Sequence, residues 1–134
     1  MAAAAAFEPL LHQYPCTEWT RVFFFEESGQ IIAGHCSAKP EEVRDLIASY
    51  QDNDTTFARG LLIEGIHYDV HRFHGDLIYG RRGDANQGEG ICLYRFQKPS
   101  GTKCFALITY QFPILSAKAI PDLQAFVQAN MDKF

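Results

Sequence analysis

Hydrophobic positions recur at helical spacing near both ends of the chain and in short β-type runs between them. Residues 2–12 are rich in alanine and leucine, and Phe7, Leu10 and Leu11 fall on one helical face, so this segment is predicted to be a helix. Near the other end, apolar residues spaced three and four apart predict a helix that begins at Pro121. The stripe of that helix consists of Leu123, Phe126, Val127, Asn130, Met131 and Phe134.

Two strands are predicted to follow the first helix. Residues 19–25 are mostly β-branched or aromatic, which favours a strand in a central position of a sheet. The turn at 26–29 ends in glycine, and residues 30–36 are predicted to return antiparallel to the first strand. Trp19, the only tryptophan, is expected to be a packing residue in the core or at an edge.

A second helix is predicted to begin near Lys39. Pro40 suits a first helical turn, and the two glutamates that follow favour the positive end of the helix dipole. The polar residues 51–56 predict a loop after this helix. Its buried stripe is predicted to be Val43, Leu46, Ile47 and Tyr50.

Short runs separated by glycine-containing loops predict a meander of antiparallel strands in the second half of the chain. The predicted strands cover residues 60–63, 67–73, 77–81, 91–97 and 103–111. The whole order is helix, two strands, helix, five strands, helix. This order predicts an α+β fold with a single central antiparallel β-sheet of about seven strands flanked by helices. Because neither a repeat nor a linker is visible, we expect residues 1–134 to form a single domain.

The composition of the chain argues against several classes of binding partner and location. The formal net charge of −4 argues against attraction of the whole surface to nucleic acid. No apolar run reaches the roughly 18–20 residues of a membrane span. The alanine run at the N-terminus lacks a basic leader, so export is not expected. We therefore expect a cytoplasmic protein without a transmembrane segment and without a nucleic-acid partner.

The sequence offers little catalytic or metal-binding chemistry. Its four cysteines are widely spaced and include no Cys-x-x-Cys pair, which is typical of reduced core thiols. His67, His71 and His74 lie close together, but no cysteine or further ligand stands at a recognised zinc spacing. No pair of acids and no nucleophile beside a base stands out. We therefore expect no enzyme activity, no cofactor and no metal.

Six short motifs, each weak by itself, occur in order along the chain and together resemble the profilin family. They are Lys39-Pro-Glu-Glu-Val43, Gly60-Leu61, Gly65-Ile-His-Tyr68, Ile78-Tyr-Gly-Arg-Arg-Gly83, Gly90-Ile91 and Tyr110-x-x-Pro113. The resemblance covers about residues 19–134, with one insertion near residues 84–88. It implies a profilin-like fold, with the N- and C-terminal helices on one face of the sheet.

The resemblance implies a protein of the cytoplasm and cytoskeleton that binds monomeric actin and regulates actin polymerisation. Arg81 occupies the position of the basic residue that meets the acidic surface of actin, and Arg82 matches a second basic position. Arg95 matches the basic residue that follows the Gly-Ile motif, and Lys118 is the base near the terminal helix.

Profilins also bind proline-rich peptides between aromatic rings on the first and last helices, with Trp and Tyr preferred because their polar edges bond the peptide. Here the matching positions are Phe7, Ile32, Phe126 and Phe134. Since alanine stands where the first tryptophan is expected and phenylalanine donates no hydrogen bond, this binding is predicted to be weak or absent.

Phosphoinositide binding is a third property that the resemblance implies. It would need a local basic patch, because the chain as a whole is acidic. The candidate residues are Arg72, Arg81, Arg82, Lys98 and Lys103, provided that their loops converge.

Two other classes remain open at the level of sequence. One is a profilin-like cytoskeletal adaptor that has lost actin binding. The other is a PAS-like or longin-like sensor or trafficking module, which would have an internal pocket lined by the strand faces.

Overall fold

A computed structural model of the chain describes residues 2–83 and 87–134, with residues 2–6 described as backbone only. The helices in this part of the chain are α1 (Ala2–Leu11), α2 (Pro40–Ala48), α3 (Asn53–Arg59) and α4 (Ser116–Ala129). The strands are β1 (Arg21–Glu26), β2 (Ile31–Gly34), β3 (Leu61–Ile63), β4 (Ile66–His74), β5 (Leu77–Arg82), β6 (Glu89–Gln97) and β7 (Lys103–Gln111). Short 3₁₀ turns lie at Cys16–Glu18 and Met131–Lys133.

The strands form one seven-stranded sheet in the order β2-β1-β7-β6-β5-β4-β3, and every neighbouring pair is antiparallel. The predicted meander is confirmed as β3 to β7. The hairpin of β1 and β2 joins the sheet at β7, so β1 has neighbours on both sides. The predicted α+β fold with about seven strands is therefore confirmed.

Helices cover both faces of the sheet, and each face has its own core. The terminal-helix face packs against α1 and α4, through residues such as Phe7, Leu123 and Val127. The α2 face packs against α2, through Val43 and Leu46. The prediction that the N- and C-terminal helices share one face is confirmed. Trp19 is buried in the core of the terminal-helix face, just before β1 begins.

Two predicted boundaries are wrong. Residues 51–56 are a predicted loop, but α3 begins within them, because the Asp52 carboxylate accepts the backbone N–H of Asp54 at 3.3 Å and so caps a helix. The terminal helix begins at Ser116 rather than at Pro121, which lies inside α4. A proline removes one amide donor but does not prevent the first turns from forming before it.

The four cysteines are free thiols, as predicted. Cys16, Cys92 and Cys104 are buried, and Cys36 is partly exposed. Among the residues that the structure describes, no helix is long and apolar enough to cross a membrane. No group of histidine, cysteine or acidic residues suited to a metal ion occurs within this same described part.

Candidate partner-binding face

The terminal-helix face is covered unevenly. Helix α1 packs mainly on β2, and α4 packs mainly on β7 and β6. On β5 the residues of this face are Leu77, Tyr79 and Arg81, all partly exposed. Arg72 of β4 lies beside Tyr79 in the strand register, and Tyr94 of β6 lies beside Leu77. We call these five side chains the open face.

Arg81 is the predicted contact that lies on the open face. Its register partner on β4 is Asp69, whose side chain stands on the same face. Arg81 also lies near Tyr110 of β7: burial raises the pKa of Tyr110 to about 12, and the charge of Arg81 acts in the opposite direction. The open face therefore presents a cation two residues from Tyr79 on the same strand face, beside the covered part of the sheet.

Arg82 lies on the α2 face, opposite to Arg81, because successive strand residues point to opposite sides. Its Nε and Nη2 atoms donate hydrogen bonds to Oε1 of Glu89, at 3.2 and 2.8 Å. Its guanidinium carbon lies 5.9 Å from the centre of the Tyr68 ring. The two adjacent arginines therefore do not form one basic patch.

Arg95 also lies on the α2 face, at the opposite end of the sheet. Its Nε donates to Oδ1 of Asp76 at 2.9 Å, and its guanidinium lies 4.4 Å from the centre of the Tyr50 ring. It is separated from Gly90, the register partner of Arg81, by five positions along β6, which is about 16 Å of extended strand. Arg95 and Arg81 thus belong to different surfaces.

Lys118 lies in the first turn of α4, where three acceptors surround its ammonium group. Its Nζ atom donates to Asp122 Oδ2 at 2.8 Å, to Glu18 Oε1 at 2.5 Å and to Tyr14 OH at 2.9 Å. These hydrogen bonds, with that to Asp122 the largest, raise the pKa of Lys118. The charge of Lys118 is therefore already matched by acids of the same chain. Of the four predicted actin contacts, Arg81 and Lys118 lie on the side of the terminal helices, and Arg82 and Arg95 do not.

The residues predicted for a proline-rich ligand do come together, but inside the core. Phe7, Ile32 and Phe126 belong to the core of the terminal-helix face, and Phe134 packs against it. The ring of Phe7 lies 4.6 Å from that of Phe134 and 6.2 Å from that of Phe126. Phe7 has no exposed surface, and Phe126 is only 6% exposed. We call this group, together with Phe24 and Trp19, the ring cluster.

The five residues predicted for phosphoinositides do not converge. Lys98 and Lys103 flank the turn between β6 and β7, and Lys98 Nζ lies 3.7 Å from Glu26 Oε2. Arg81 and Arg82 pair with the first residues of β6, whereas Lys98 follows its last residue and Lys103 pairs with that residue. The two groups are roughly 25 Å apart along the strands. Arg72 lies on β4, where its Nη1 donates to the carbonyl of His71 at 3.2 Å. These five residues therefore do not come together in one basic patch.

A charge network on the α2 face was not foreseen from the sequence. Arg21 of β1 donates from Nε to Glu64 Oε1 at 2.6 Å and from Nη1 to Glu89 Oε2. Glu89 also binds Arg82, as described above, and is 1% exposed. Glu42 of α2 accepts the backbone N–H groups of Glu64 and Gly65 at 3.0 and 2.8 Å. We call Arg21, Glu42, Glu64, Arg82 and Glu89 the charge network.

The sequence contained one faint signal of the charge network. Arg21 interrupts a run of apolar and aromatic residues, and a cation in such a strand needs an acidic partner. The partners, however, lie 43 and 68 residues further along the chain. Rules based on the spacing of residues along the chain do not connect residues this far apart.

The carboxylates of the charge network are held in their ionised form. The hydrogen bond from Arg21 lowers the pKa of Glu64, with help from the backbone N–H of Ser37. Burial acts to raise the pKa values of Glu42 and Glu89, but hydrogen bonds outweigh it and both values are lowered. For Glu42 the donors are backbone amides, and for Glu89 they include both arginines. Burial also raises the pKa of Tyr68, which packs beside the network, to about 12.

A cleft of about 330 Å³ lies between α2, α3 and β3. Leu46 and Leu61 line it, and its rim carries Asp45 and Arg59, whose charged atoms are 3.5 Å apart. Helices and connecting segments form most of its wall. This geometry differs from the internal pocket between strand faces that a PAS-like sensor would have.

Comparisons with known proteins agree with this architecture. The chain is similar in structure to a profilin of Schizosaccharomyces pombe, with a TM-score of 0.76, 21% identity, and coverage of 96% of this chain and 97% of that one. It is similar to profilin II of Acanthamoeba castellanii, with a TM-score of 0.74, 14% identity, and coverage of 95% and 96%. It is also similar to LokiProfilin1 in a complex with rabbit actin, with a TM-score of 0.66, 12% identity, and coverage of 98% and 96%.

Comparison with curated protein sequences gives no match. The family model for profilin matches residues 24–100, which is more than half of the chain. This match includes the Lys-Pro-Glu-Glu start of α2, the glycine-rich turns and the strand that carries Arg81. The chain belongs to the profilin family.

Proposed function

We propose that residues 1–134 form a single profilin-like domain that binds monomeric actin through the open face and thereby regulates actin polymerisation in the cytoplasm. The observation that carries the proposal is the position of Arg81 on a partly exposed face, at the end of a row that continues through Tyr79 to Leu77 and Tyr94. Arginine and tyrosine are enriched among the residues that dominate binding energy at protein interfaces. The activity is binding, and no reaction is catalysed.

Membership of the profilin family supports actin as the partner. LokiProfilin1 and LokiProfilin2, which share this fold, have been solved in complexes with rabbit actin. The physical role of Arg81 is electrostatic complementarity with an acidic surface, which speeds encounter and fixes orientation. Tyr79 and Tyr94 supply rigid apolar area at low cost in conformational entropy.

We also propose that binding of proline-rich peptides is weakened. A polyproline II helix needs exposed ring faces and hydrogen-bond donors at the ring edges. Phe7 and Phe126 offer neither, because they are buried in the ring cluster and phenylalanine has no polar edge. Titration with decaproline, followed by calorimetry, is expected to show no binding at micromolar concentration. Micromolar affinity would show that the helices open to admit the peptide.

Assembly of pyrene-labelled actin tests the principal proposal. The purified protein is expected to slow spontaneous assembly in proportion to its concentration, and Arg81→Glu is expected to weaken this effect on the order of tenfold or more. Arg44→Glu is the matched control, since Arg44 is an exposed cation on α2, away from the open face. Equal loss in the two variants would point to net charge alone, against a role for Arg81.

One observation favours a second candidate, a profilin-like adaptor that has lost actin binding. Three of the four predicted actin contacts, Arg82, Arg95 and Lys118, pair with acids of their own chain. If the wild-type protein leaves actin assembly unchanged at high micromolar concentration, the adaptor becomes the better assignment. Affinity capture from a native lysate, with Arg81→Glu as the comparison, would then identify the partner and test the open face.

A further inference from the structure

Arg82, the last residue of β5, is bound by Glu89 on the α2 face. Arg81, the residue before it, lies on the open face. We propose that Arg82 and Glu89 are positioning residues, which fix the end of β5 so that Arg81 meets the partner in one orientation. This inference rests on the proposed function for its binding readout. It assigns Arg82 a role inside the protein, in place of the partner contact that the resemblance implied.

Two hydrogen bonds to Glu89 hold the guanidinium of Arg82. Both its Nε and its Nη2 atoms donate to one oxygen of Glu89, and Arg21 donates to the other oxygen. Glu89 is 1% exposed, so water does not compete for its carboxylate. The guanidinium of Arg82 is thus held in one place by a fixed, buried anion.

The anion is in turn held by distant parts of the chain. Arg21 joins Glu89 to Glu64 in the turn between β3 and β4, and the second oxygen of Glu64 accepts the Ser37 N–H at 2.6 Å. Glu64 has a φ of 53°, a left-handed conformation that non-glycine residues seldom adopt. Such a backbone persists only where the surroundings hold it, and here Glu42 binds its N–H group.

Fixing Arg82 constrains Arg81 because the two residues share a peptide unit in a strand. Arg81 pairs with Gly90, and Arg82 pairs with Glu89, at the last rung before β5 ends. Gly83 follows with a φ of 70°, and the chain leaves the sheet there. An end rung frays readily unless a side chain ties it down. The Arg82–Glu89 pair supplies that tie, and alternation places Arg81 on the opposite face.

The decisive variant is Arg82→Lys, which keeps the charge but loses the two-atom grip on Glu89. We expect actin affinity to fall on the order of fivefold to tenfold, with a global unfolding midpoint close to that of the wild type. Arg44→Lys, the same substitution on exposed α2, is expected to leave affinity unchanged. If Arg82 were a charge contact with actin, Arg82→Lys would retain nearly full affinity, and that result would overturn the proposal.

A double-mutant cycle adds a second readout. Glu89→Gln and Arg82→Lys should be non-additive, so that the pair weakens actin binding no more than the stronger single variant does. Additive losses would contradict a shared positioning role. Circular dichroism checks that the Glu89→Gln variant is folded. If that variant is unfolded, the actin affinity of Arg82→Lys alone tests the positioning role.

Amide hydrogen exchange separates this inference from the proposed function. If the wild-type protein does not bind actin, the proposed function fails, but the tie at the end of β5 can still be measured. Amides of residues 80–82 and 89–91 are expected to exchange at least about tenfold faster in Arg82→Lys, while those of residues 105–108 at the sheet centre keep their rates. Unchanged rates at the end of β5 would overturn the inference.

Discussion

The ring cluster and the open face lie side by side on the same side of one sheet, yet they have opposite characters. In the ring cluster, α1 and α4 close over Phe7, Phe24 and Phe126 and leave these three side chains almost no exposed surface. On the open face, two tyrosines and two arginines remain accessible because the helices end their coverage at β6. The comparison teaches that helix placement, rather than strand sequence, decides which aromatic residues are core and which can meet a partner.

Truncation of a buried ring gives the largest expected effect. Phe126→Ala should lower the free energy of unfolding by about 3–5 kcal/mol, because it removes a ring that contacts Phe7, Phe24 and Trp19. Urea unfolding measures the loss. Phe112→Ala, at a ring that is 56% exposed, is the control and should change stability little. A small loss at Phe126 would mean that the ring cluster is an accessible groove.

Acid is expected to act on the charge network and to have no direct effect on the side chains of the ring cluster, since none of them is ionisable. The pKa values of Glu42, Glu64 and Glu89 are lowered in the folded state. Their contribution to stability is therefore present above the unfolded pKa of about 4.5 and is lost as the pH falls through the folded values.

Urea unfolding at a series of pH values from 7 to 3 checks this dependence. Glu64→Gln should flatten the acid limb of the stability curve, whereas Glu8→Gln, at an exposed position of α1, should leave the limb as it is in the wild type. Equal slopes in Glu64→Gln and the wild type would remove Glu64 from the set of stabilising carboxylates.

The tyrosines of the open face should show the reverse balance between binding and stability. Tyr79→Ala and Tyr94→Ala are each expected to weaken actin binding on the order of tenfold while lowering stability by only about 1–2 kcal/mol. Both variants would be compared with the wild type by titration of labelled actin and by urea unfolding. A loss of stability as large as that of Phe126→Ala would place these rings in the core.

Lys118 should give the smallest effect. Its side chain is 46% exposed, and ion pairs at such positions contribute little to stability. Lys118→Gln is expected to leave the unfolding midpoint within experimental error. Actin affinity should also change little, since Glu18 and Asp122 already balance its charge. A clear loss of affinity would extend the open face onto the first turn of α4.

The alternating and helical patterns predicted most of the fold because they are local. They located the seven strands and the terminal helices, with the start of α4 as the main error. Helix α3 was missed because it is built from polar residues, and its stability depends on the Asp52 cap and on Thr56, whose hydroxyl donates to the carbonyl of Ser49. A window that looks for apolar periodicity does not detect such a helix.

The candidate site was only partly predictable. Arg81 was identified through a resemblance between motifs, and its role stays a prediction. That Arg81 and Arg82 face opposite sides follows from strand alternation alone, once the strand is known to include both. The charge network follows from no local rule, since Arg21, Glu64 and Glu89 are brought together by the order of strands in the sheet.

The partly exposed thiol of Cys36 provides a built-in probe of the charge network. It lies beside Glu64, and burial raises its pKa to about 12, so it reacts slowly with thiol reagents while the network is closed. Cys16, Cys92 and Cys104 are buried and contribute little to the early phase of modification. The rate at which a maleimide modifies Cys36 would therefore report how often this region opens, on native protein and without any engineered label.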